Sequence, residues 1–360
     1  MKRIIVFNAG PLHNQSAGIH VWTKEILKAL HELKLQGQMP NHLHWILFTE
    51  KPTDDYPLFE VKTIPVCRYI PGFASLRLFI LFPIFAIWKK ANWFIEPAHF
   101  GPFNLPSRIK RITVIHDLTP ILFPQWHQGF SSLAQRLFFP IIFKKTHKII
   151  AVSNSTKNDL ERIYPLTKGK IKVIYPGISK KYCPKPEIPK KPFLLFVGTI
   201  EPRKNIEKAI EFFQEIKQNP EYQDFKFIIA GKKGWKTTEF DRAYQTSIFK
   251  EDILLVGYIS EERKIELYRA CAAFIYPSHY EGFGFPILEA LACGAPVITS
   301  RNSSLEEIGL KYVQYMEDHF KLNHSIQNAA ILYAQSFEWE KTAQGFITFL
   351  NLSRSVHNEN

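Results

Sequence analysis

Apolar and polar positions alternate along this chain on two length scales. Short, nearly unbroken apolar runs read as buried strands: RIIVFN (Arg3–Asn8), HWILFT (44–49), ANWFIEP, RITVIHD and KIIAVS (148–153), with KIKVIYPGIS closing the first half. FLLFVG, KFIIAG, ILLVGY, AAFIYP and PVITS repeat the pattern in the second half. Between the runs the spacing becomes helical. In residues 18–33, Val21, Ile26, Leu30 and Leu33 recur on one predicted face. TKNDLERIY reads as a helix capped by Ser153 or Ser155, and NIEKAIEFFQEIKQ, SEERKIELYRAC, FPILEALAC and SFEWEKTAQGFITFLNLSR read as helices too. Strand–helix alternation in both halves predicts the α/β class: two doubly wound, Rossmann-like domains with parallel sheets. Ligands of such sheets bind beyond the carboxyl ends of the strands, so a central cleft faced by both sheets is the expected site.

The boundary between the halves is compositional. KKYCPKPEIPKKP (180–192) carries four prolines and reads as a linker. It separates a first domain at 1–179 from a second at 193–337, with a C-terminal helical segment at 338–360. Charge sharpens the division. Residues 1–180 hold 24 Lys and Arg against 10 Asp and Glu, whereas residues 181–360 hold 22 against 23. A basic first half suits an anionic substrate or an anionic membrane surface. A nucleic-acid partner would call for basic–aromatic modules or a recognition helix, and neither is legible.

MKRIIVFNAG reads as a strand ended by Gly10-Pro11, not as a signal peptide. No run reaches the ~18 apolar residues of a membrane crossing. The nearest is LRLFILFPIFAIWKK, where Arg77 and Lys89-Lys90 bracket eleven apolar residues at 78–88. That length fits a buried helix or an interfacial segment, and one face can pack while another docks on a membrane. Cys67, Cys183, Cys271 and Cys293 show no metal or redox spacing and fit a reducing, cytoplasmic compartment.

The chemistry concentrates in HYEGFGFPILEALACGAPVITS (279–300). A strand ends, a glycine-bearing loop follows, and Pro286 suits a first helical position. Glu289 then falls in the first turn, and Gly294 is the expected helix stop. The N–H groups at such a helix start attract anions. Gly282 and Gly284 allow close backbone approach, so the loop is suited to a diphosphate. Glu281 faces one side of it, and Glu289 is placed to accept hydrogen bonds from hydroxyls on the other.

Glu281, Gly282, Phe283, Gly284, Pro286, Glu289, Ala290, Ala292, Cys293, Gly294, Pro296, Val297 and Ile298 together resemble the E-x7-E signature of glycosyltransferase family 4. These are retaining enzymes of the two-domain GT-B fold that use nucleotide-sugar donors. Further stretches agree. FVGTIEPRKNIEKAI resembles the family's strand–loop–helix with paired cations, here Arg203 and Lys204 after Gly198, with Asn205 capping the helix. VIHDLTPILFP resembles its His-Asp element, placing His116 near the donor sugar. GPLHNQSAGIHVW resembles the glycine loop beside the diphosphate, although Ala17 replaces one glycine and only Gly18 carries over. SFEWEKTA resembles the C-terminal helix that crosses back onto the first domain. SLEEIGLKYVQYMEDHF departs from the family by lacking its Leu-Pro-Glu and glycine turn.

The resemblance implies a reaction and a division of roles. A hexose passes from a nucleoside-diphosphate sugar, GDP-mannose in the first instance, to a glycan or lipid-linked glycan in polysaccharide or lipopolysaccharide synthesis. Catalytic roles fall to Glu281, His116, Arg203 and Lys204, with Glu281 on the sugar's hydroxyls and the two cations on the departing diphosphate. Glu289 holds the ribose. Gly18, Gly198, Gly282, Phe283, Gly284, Phe285, Asn302 and Ser303 complete the donor site. No metal or other cofactor is implied. The alternatives are a UDP-sugar-dependent transferase and a catalytically degenerate protein that only binds sugar nucleotides. The expected location is cytoplasmic, with peripheral contact on the inner face of the plasma membrane.

Overall fold

The computed structural model describes residues 2–13, 17–66, 73–127, 129–185, 187–318 and 327–351. Cys67, residues 14–16 of the glycine loop, Pro186 of the linker and residues after 351 lie outside them. The chain forms two compact units. The first comprises Met1–Ile121, Gly129–Gly177 and Glu338–Asn360; the second comprises Leu122–Gln128 and Ile178–Phe337.

In the first unit, β1 (Arg3–Asn8), β2 (Leu43–Thr49), β3 (Glu60–Thr63), β4 (Trp93–Glu96), β5 (Lys110–Ile115), β6 (Lys148–Ala151) and β7 (Ile171–Val173) form one parallel sheet. Its order is β3-β2-β1-β4-β5-β6-β7. Strands such as β4, buried at all four positions, are covered on both faces, which is why they read as continuous apolar runs. Helix Ala17–Leu35 packs with Trp22, Ile26, Leu30 and Leu33 buried. Val21, expected on that face, is exposed, and the neighbouring Trp22 takes its place. The helix Trp339–Asn351 belongs to this unit, with the ring of Phe346 6.4 Å from those of both Trp22 and Trp45.

In the second unit, β8 (Lys191–Val197), β9 (Lys226–Ala230), β10 (Ile253–Gly257), β11 (Cys271–Tyr276), β12 (Val297–Thr299) and β13 (Gln314–Tyr315) form another parallel sheet, in the order β10-β9-β8-β11-β12-β13. The sheet order reverses between β8 and β11, the switch point at which two strand ends open toward a ligand. The proline-rich stretch gives up its last two residues to β8: Pro192 is the strand's second residue, a position a missing N–H tolerates. Cys271 and Cys293 are buried free thiols, each pushed up to about 12 by burial. Among the described residues, no helix is long and apolar enough to cross a membrane.

Candidate active site

The β8–β11 switch point brings the signature residues together. The loop after β8 passes through Gly198 and a tight turn at Pro202–Lys204 that presents Arg203 and Lys204. The loop after β11 carries His279 to Gly284, and His279 N–H donates to the Arg203 carbonyl at 2.9 Å, tying the two loops. Asn205 starts the helix Ile206–Ile216 with left-handed backbone (φ 52°). It does not cap that helix with its side chain; its Nδ2 instead donates to the Pro277 carbonyl at 3.1 Å, a second tie.

Glu281 lies at the centre and is buried. Its Oε1 accepts from Lys204 Nζ at 2.6 Å and from the Tyr276 hydroxyl at 3.0 Å, and its Oε2 accepts from Arg203 Nη1 at 2.6 Å. Arg203 Nη2 donates to Glu201 at 2.8 Å. Burial alone would raise the Glu281 carboxyl. The charges of Arg203 and Lys204, with the hydrogen bond from Lys204, outweigh burial and leave it at about 2. Lys204 is pulled below its ordinary range by burial and by Arg203, more than Glu281 lifts it. The cluster therefore holds two positive and two negative groups in near balance. The two cations expected on a diphosphate are here paired with Glu281 and Glu201.

The helix Phe285–Ala292 begins at Phe285, so Pro286 is its second residue. Gly284 sits before it at φ 100°, a conformation that favours glycine, and an added Cβ there would lie 3.4 Å from Leu305. Glu289 is the fifth helical residue, past the first turn where it was expected. At that depth Glu289 lies beyond the turn over which a helix-end dipole acts on a charge. Its carboxylate accepts from Lys264 Nζ at 3.1 Å and from the Tyr268 hydroxyl at 3.3 Å. Lys264 and Tyr268 carry no motif of their own; only the fold places them against Glu289.

The remaining predicted residues divide between the units. Ser303, at φ 44°, accepts from the Glu281 N–H at 3.1 Å, and Asn302 donates to the Ser278 carbonyl at 3.1 Å. Both support the Glu281 loop. Phe283 is buried, its ring 5.1 Å from Phe285 and 6.1 Å from Phe337. Gly282 is buried in the same loop. In the first unit, Gly18 falls within the helix Ala17–Leu35 rather than in a loop, exposed and with open space around it.

His116 follows β5 in the first unit. Its Nε2 lies 2.8 Å from the Pro97 carbonyl, which can only accept, so Nε2 carries the proton. Its ring stacks on His99 at 5.4 Å and meets Trp22 edge-on at 5.6 Å. Burial, then His99, pulls its pKa down to about 3. His116 is therefore a neutral imidazole with Nδ1 as an acceptor, suited to a sugar hydroxyl and not to a phosphate. The expected consequence is a transfer rate without a histidine-type inflection at pH 5–8. His116→Ala should slow transfer roughly tenfold to hundredfold with the flat profile kept. A wild-type step that vanishes in His116→Ala would show instead that His116 titrates.

Comparison with known proteins follows the same division. A family model described as Glycosyltransferase Family 4 matches residues 42–181, and one described as Glycosyl transferases group 1 matches residues 179–318. The O-antigen chain mannosyltransferase B of Escherichia coli is 29% identical over 322 residues, spanning 84% of each chain. The O-antigen chain mannosyltransferase RfbU of Salmonella typhimurium is 28% identical over 55% of this chain and 54% of its own. Among solved structures, the sucrose-phosphate synthase of Thermosynechococcus elongatus superposes with a TM-score of 0.72 at 16% identity, covering 98% of this chain and 99% of that one. HepE of Anabaena, in complex with UDP and glucose, gives 0.64 at 15%, covering 98% and 100%.

Proposed function

We infer the reaction from the premise that the chain belongs to glycosyltransferase family 4, with the two parallel α/β units of the GT-B fold. As a glycosyltransferase, it moves a hexose, mannose first, from a nucleoside-diphosphate sugar to a glycan or lipid-linked glycan acceptor, with retention of configuration. The similarity to O-antigen mannosyltransferases favours GDP-mannose and a role in cell-surface polysaccharide or lipopolysaccharide synthesis. The observation that carries this reading is the Arg203–Glu281–Lys204 cluster at the switch point, in which Glu281 and Lys204 are buried, with Glu289 eight positions further along.

The reaction draws on that cluster. As the diphosphate leaves, its charge competes with Glu281 for Arg203 and Lys204, and their charge-assisted hydrogen bonds stabilise it. Glu281 is then available to the sugar's hydroxyls. Glu289 accepts from the ribose. The two cations supply the positive charge the leaving group needs, so the proposal includes no metal. The reaction is placed in the cytoplasm, at the inner face of the plasma membrane.

The test is a thermal-shift series with GDP, UDP, ADP and dTDP and their hexose derivatives. A ligand that binds only the folded protein raises Tm by mass action. The expected result is a selective rise with GDP and GDP-mannose that Glu289→Ala abolishes. A rise with UDP-sugars instead would replace the donor, a reading favoured by the UDP held in the HepE structure. A rise with none, even with acceptor present, would reject the donor site as drawn.

A further inference from the structure

The loop that follows β4 turns sharply at His99. This residue has left-handed backbone, φ 62°, although it is not glycine. The Phe100 N–H donates to the Ala98 carbonyl across it, closing a three-residue turn of the hand that ordinary residues avoid. His99 is also buried. Strain of this kind persists only where the surroundings enforce it. Here both ends of the loop are anchored. At its start, Glu96 Oε1 accepts from the Ala98 N–H at 3.1 Å, and Glu96 Oε2 accepts from Asn8 Nδ2 at 2.9 Å. At its end, the Gly101 carbonyl accepts from Arg111 Nη1 at 2.9 Å. A Cβ on Gly101 would stand 2.6 Å from Glu96 Cγ, so the loop folds tightly back on the end of β4.

Contacts from this loop converge on His116. The Pro97 carbonyl accepts from His116 Nε2 at 2.8 Å. His99 Nε2 lies 2.9 Å from the His116 main-chain N–H, which can only donate, so His99 Nε2 is the acceptor and the proton of that ring sits on Nδ1. The two rings stack, with centroids 5.4 Å apart and planes 27° from parallel. The turn at His99 lets one short segment reach the ring through Pro97 and the main chain through His99. Burial lowers the His99 pKa more than Asp117 lifts it, which keeps the ring uncharged. A charged His99 would have no acceptor left for the His116 N–H. No motif marks His99 in the sequence.

We propose that His99 is a positioning residue for sugar transfer: it clamps the main chain and the ring of His116, so that His116 Nδ1 presents its lone pair to a sugar hydroxyl. The inference rests on the reading of His116 as a hydroxyl acceptor and adds the group that keeps it one. A free imidazole moves its proton between its two nitrogens, turns its ring over and takes a second proton near neutral pH, and each change removes the acceptor. The Pro97 carbonyl opposes the first, and the stack on His99 opposes the second. Burial, then His99, opposes the third. The titratable groups facing His116 are His99 and Asp117, whose carboxylate favours the charged ring but counts for less. The helices Ala17–Leu35 and Asn154–Ile163 bring Trp22 edge-on to the ring and the Thr156 hydroxyl to the His116 carbonyl at 3.2 Å, and neither titrates near neutral pH.

The experiment compares His99→Asn and His99→Gln in the full chain. Isotope-labelled histidine reports the tautomer and charge of each ring by NMR, and the His116 signals are assigned by their loss in His116→Ala. Asparagine tolerates left-handed backbone, so the turn is kept, but its amide is too short to reach the His116 N–H. The His116 ring, neutral and protonated at Nε2 across about pH 5–8 in wild type, is expected to titrate within that interval in His99→Asn. Transfer should slow roughly tenfold to hundredfold and gain a fall on the acid side that wild type lacks, while the rise of Tm with nucleotide stays as in wild type. Glutamine places Oε1 where Nε2 stood, so His99→Gln should recover part of the rate. A role in folding alone would lower Tm in both variants and leave the His116 ring neutral. A His116 ring that stays neutral and Nε2-protonated in His99→Asn, or a His99→Gln no faster than His99→Asn, would overturn the proposal. The ring signals are read without transfer. Full activity of His116→Ala would therefore reject the reading of His116, and with it the purpose of the clamp, on separate evidence.

Discussion

Glu281→Gln is expected to slow sugar transfer by about 10²–10³-fold and, at the same time, to bind the nucleoside diphosphate product more tightly than wild type does. The two effects have opposite signs because Glu281 has two partners in turn. In the structure its carboxylate pairs with Arg203 and Lys204, each at 2.6 Å. An arriving diphosphate must compete for those cations. Glutamine cannot neutralise them, so the diphosphate meets two positive groups, Lys204 buried and Arg203 partly so, with less competition. Transfer suffers because the amide is a poorer acceptor for the sugar's hydroxyls as positive charge develops on the ring. The variant should also be less stable without ligand by roughly 3–5 kcal/mol, the usual cost of breaking a buried ion pair from one side. Product should recover more of that loss in the variant than it adds to wild type.

Acid dependence gives an independent reading of the same group. The Glu281 pKa falls from an ordinary 4.5 to about 2 in the folded protein. A depressed carboxyl contributes stability that is fully present above about 4.5 and is lost as pH falls toward about 2. The stability difference between wild type and Glu281→Gln should therefore shrink across that interval. Measuring kcat, product Kd and unfolding free energy for the two proteins separates the outcomes. Unchanged kcat would remove Glu281 from the sugar, and weaker product binding would remove the competition for Arg203 and Lys204.

How much of this was legible in the sequence depends on what each residue answers to. The buried strands were legible because both faces of each sheet are covered, so their apolar runs stand out. Glu60–Thr63 was not, because an edge strand reading EVKT has only intermediate burial and no apolar run. The helix Gly129–Lys145 escaped for the opposite reason. Its outward positions are Leu133, Leu137 and Ile141, so no polar face marks the helical period, and Pro140 interrupts it. At the site, Glu281, Arg203 and Lys204 were found by their motifs, but their mutual pairing was not, since it depends on two loops 77 and 78 residues apart in the chain. Tyr276, Lys264 and Tyr268 had no local signal at all. Residues 122–128, read as part of the first domain, lie in the second unit, with Trp126 stacked on Phe123 at 4.2 Å and on His279 at 5.5 Å.

Gly231→Ala should destabilise the protein by about 2–4 kcal/mol, although no motif marks that position. Gly231 follows β9 beside the end of β8. A Cβ there would stand 1.8 Å from the Gly198 carbonyl oxygen and 2.7 Å from its carbon, atoms of a neighbouring backbone that no rotamer change can move aside. Gly198 is also bonded into this corner, its N–H donating to the Ala230 carbonyl at 2.9 Å, and the Gly231 N–H donates to the Gly257 carbonyl at 2.8 Å. To fit the methyl group, the end of β8 must shift, and the segment from Gly198 to Lys204 moves with it. A displacement near 1 Å of Arg203 and Lys204 relative to Glu281 would cost about a hundredfold in kcat beyond the loss of stability. Gly18→Ala separates this from a general intolerance of added methyl groups. Nothing lies within 4 Å of its Cβ and it sits in a helix, so its melting temperature should equal or exceed that of wild type. Denaturant unfolding of both variants, with turnover of Gly231→Ala measured where it is fully folded, decides the matter. A stable, active Gly231→Ala would mean that the β8–β9 corner yields freely and does not position the cations.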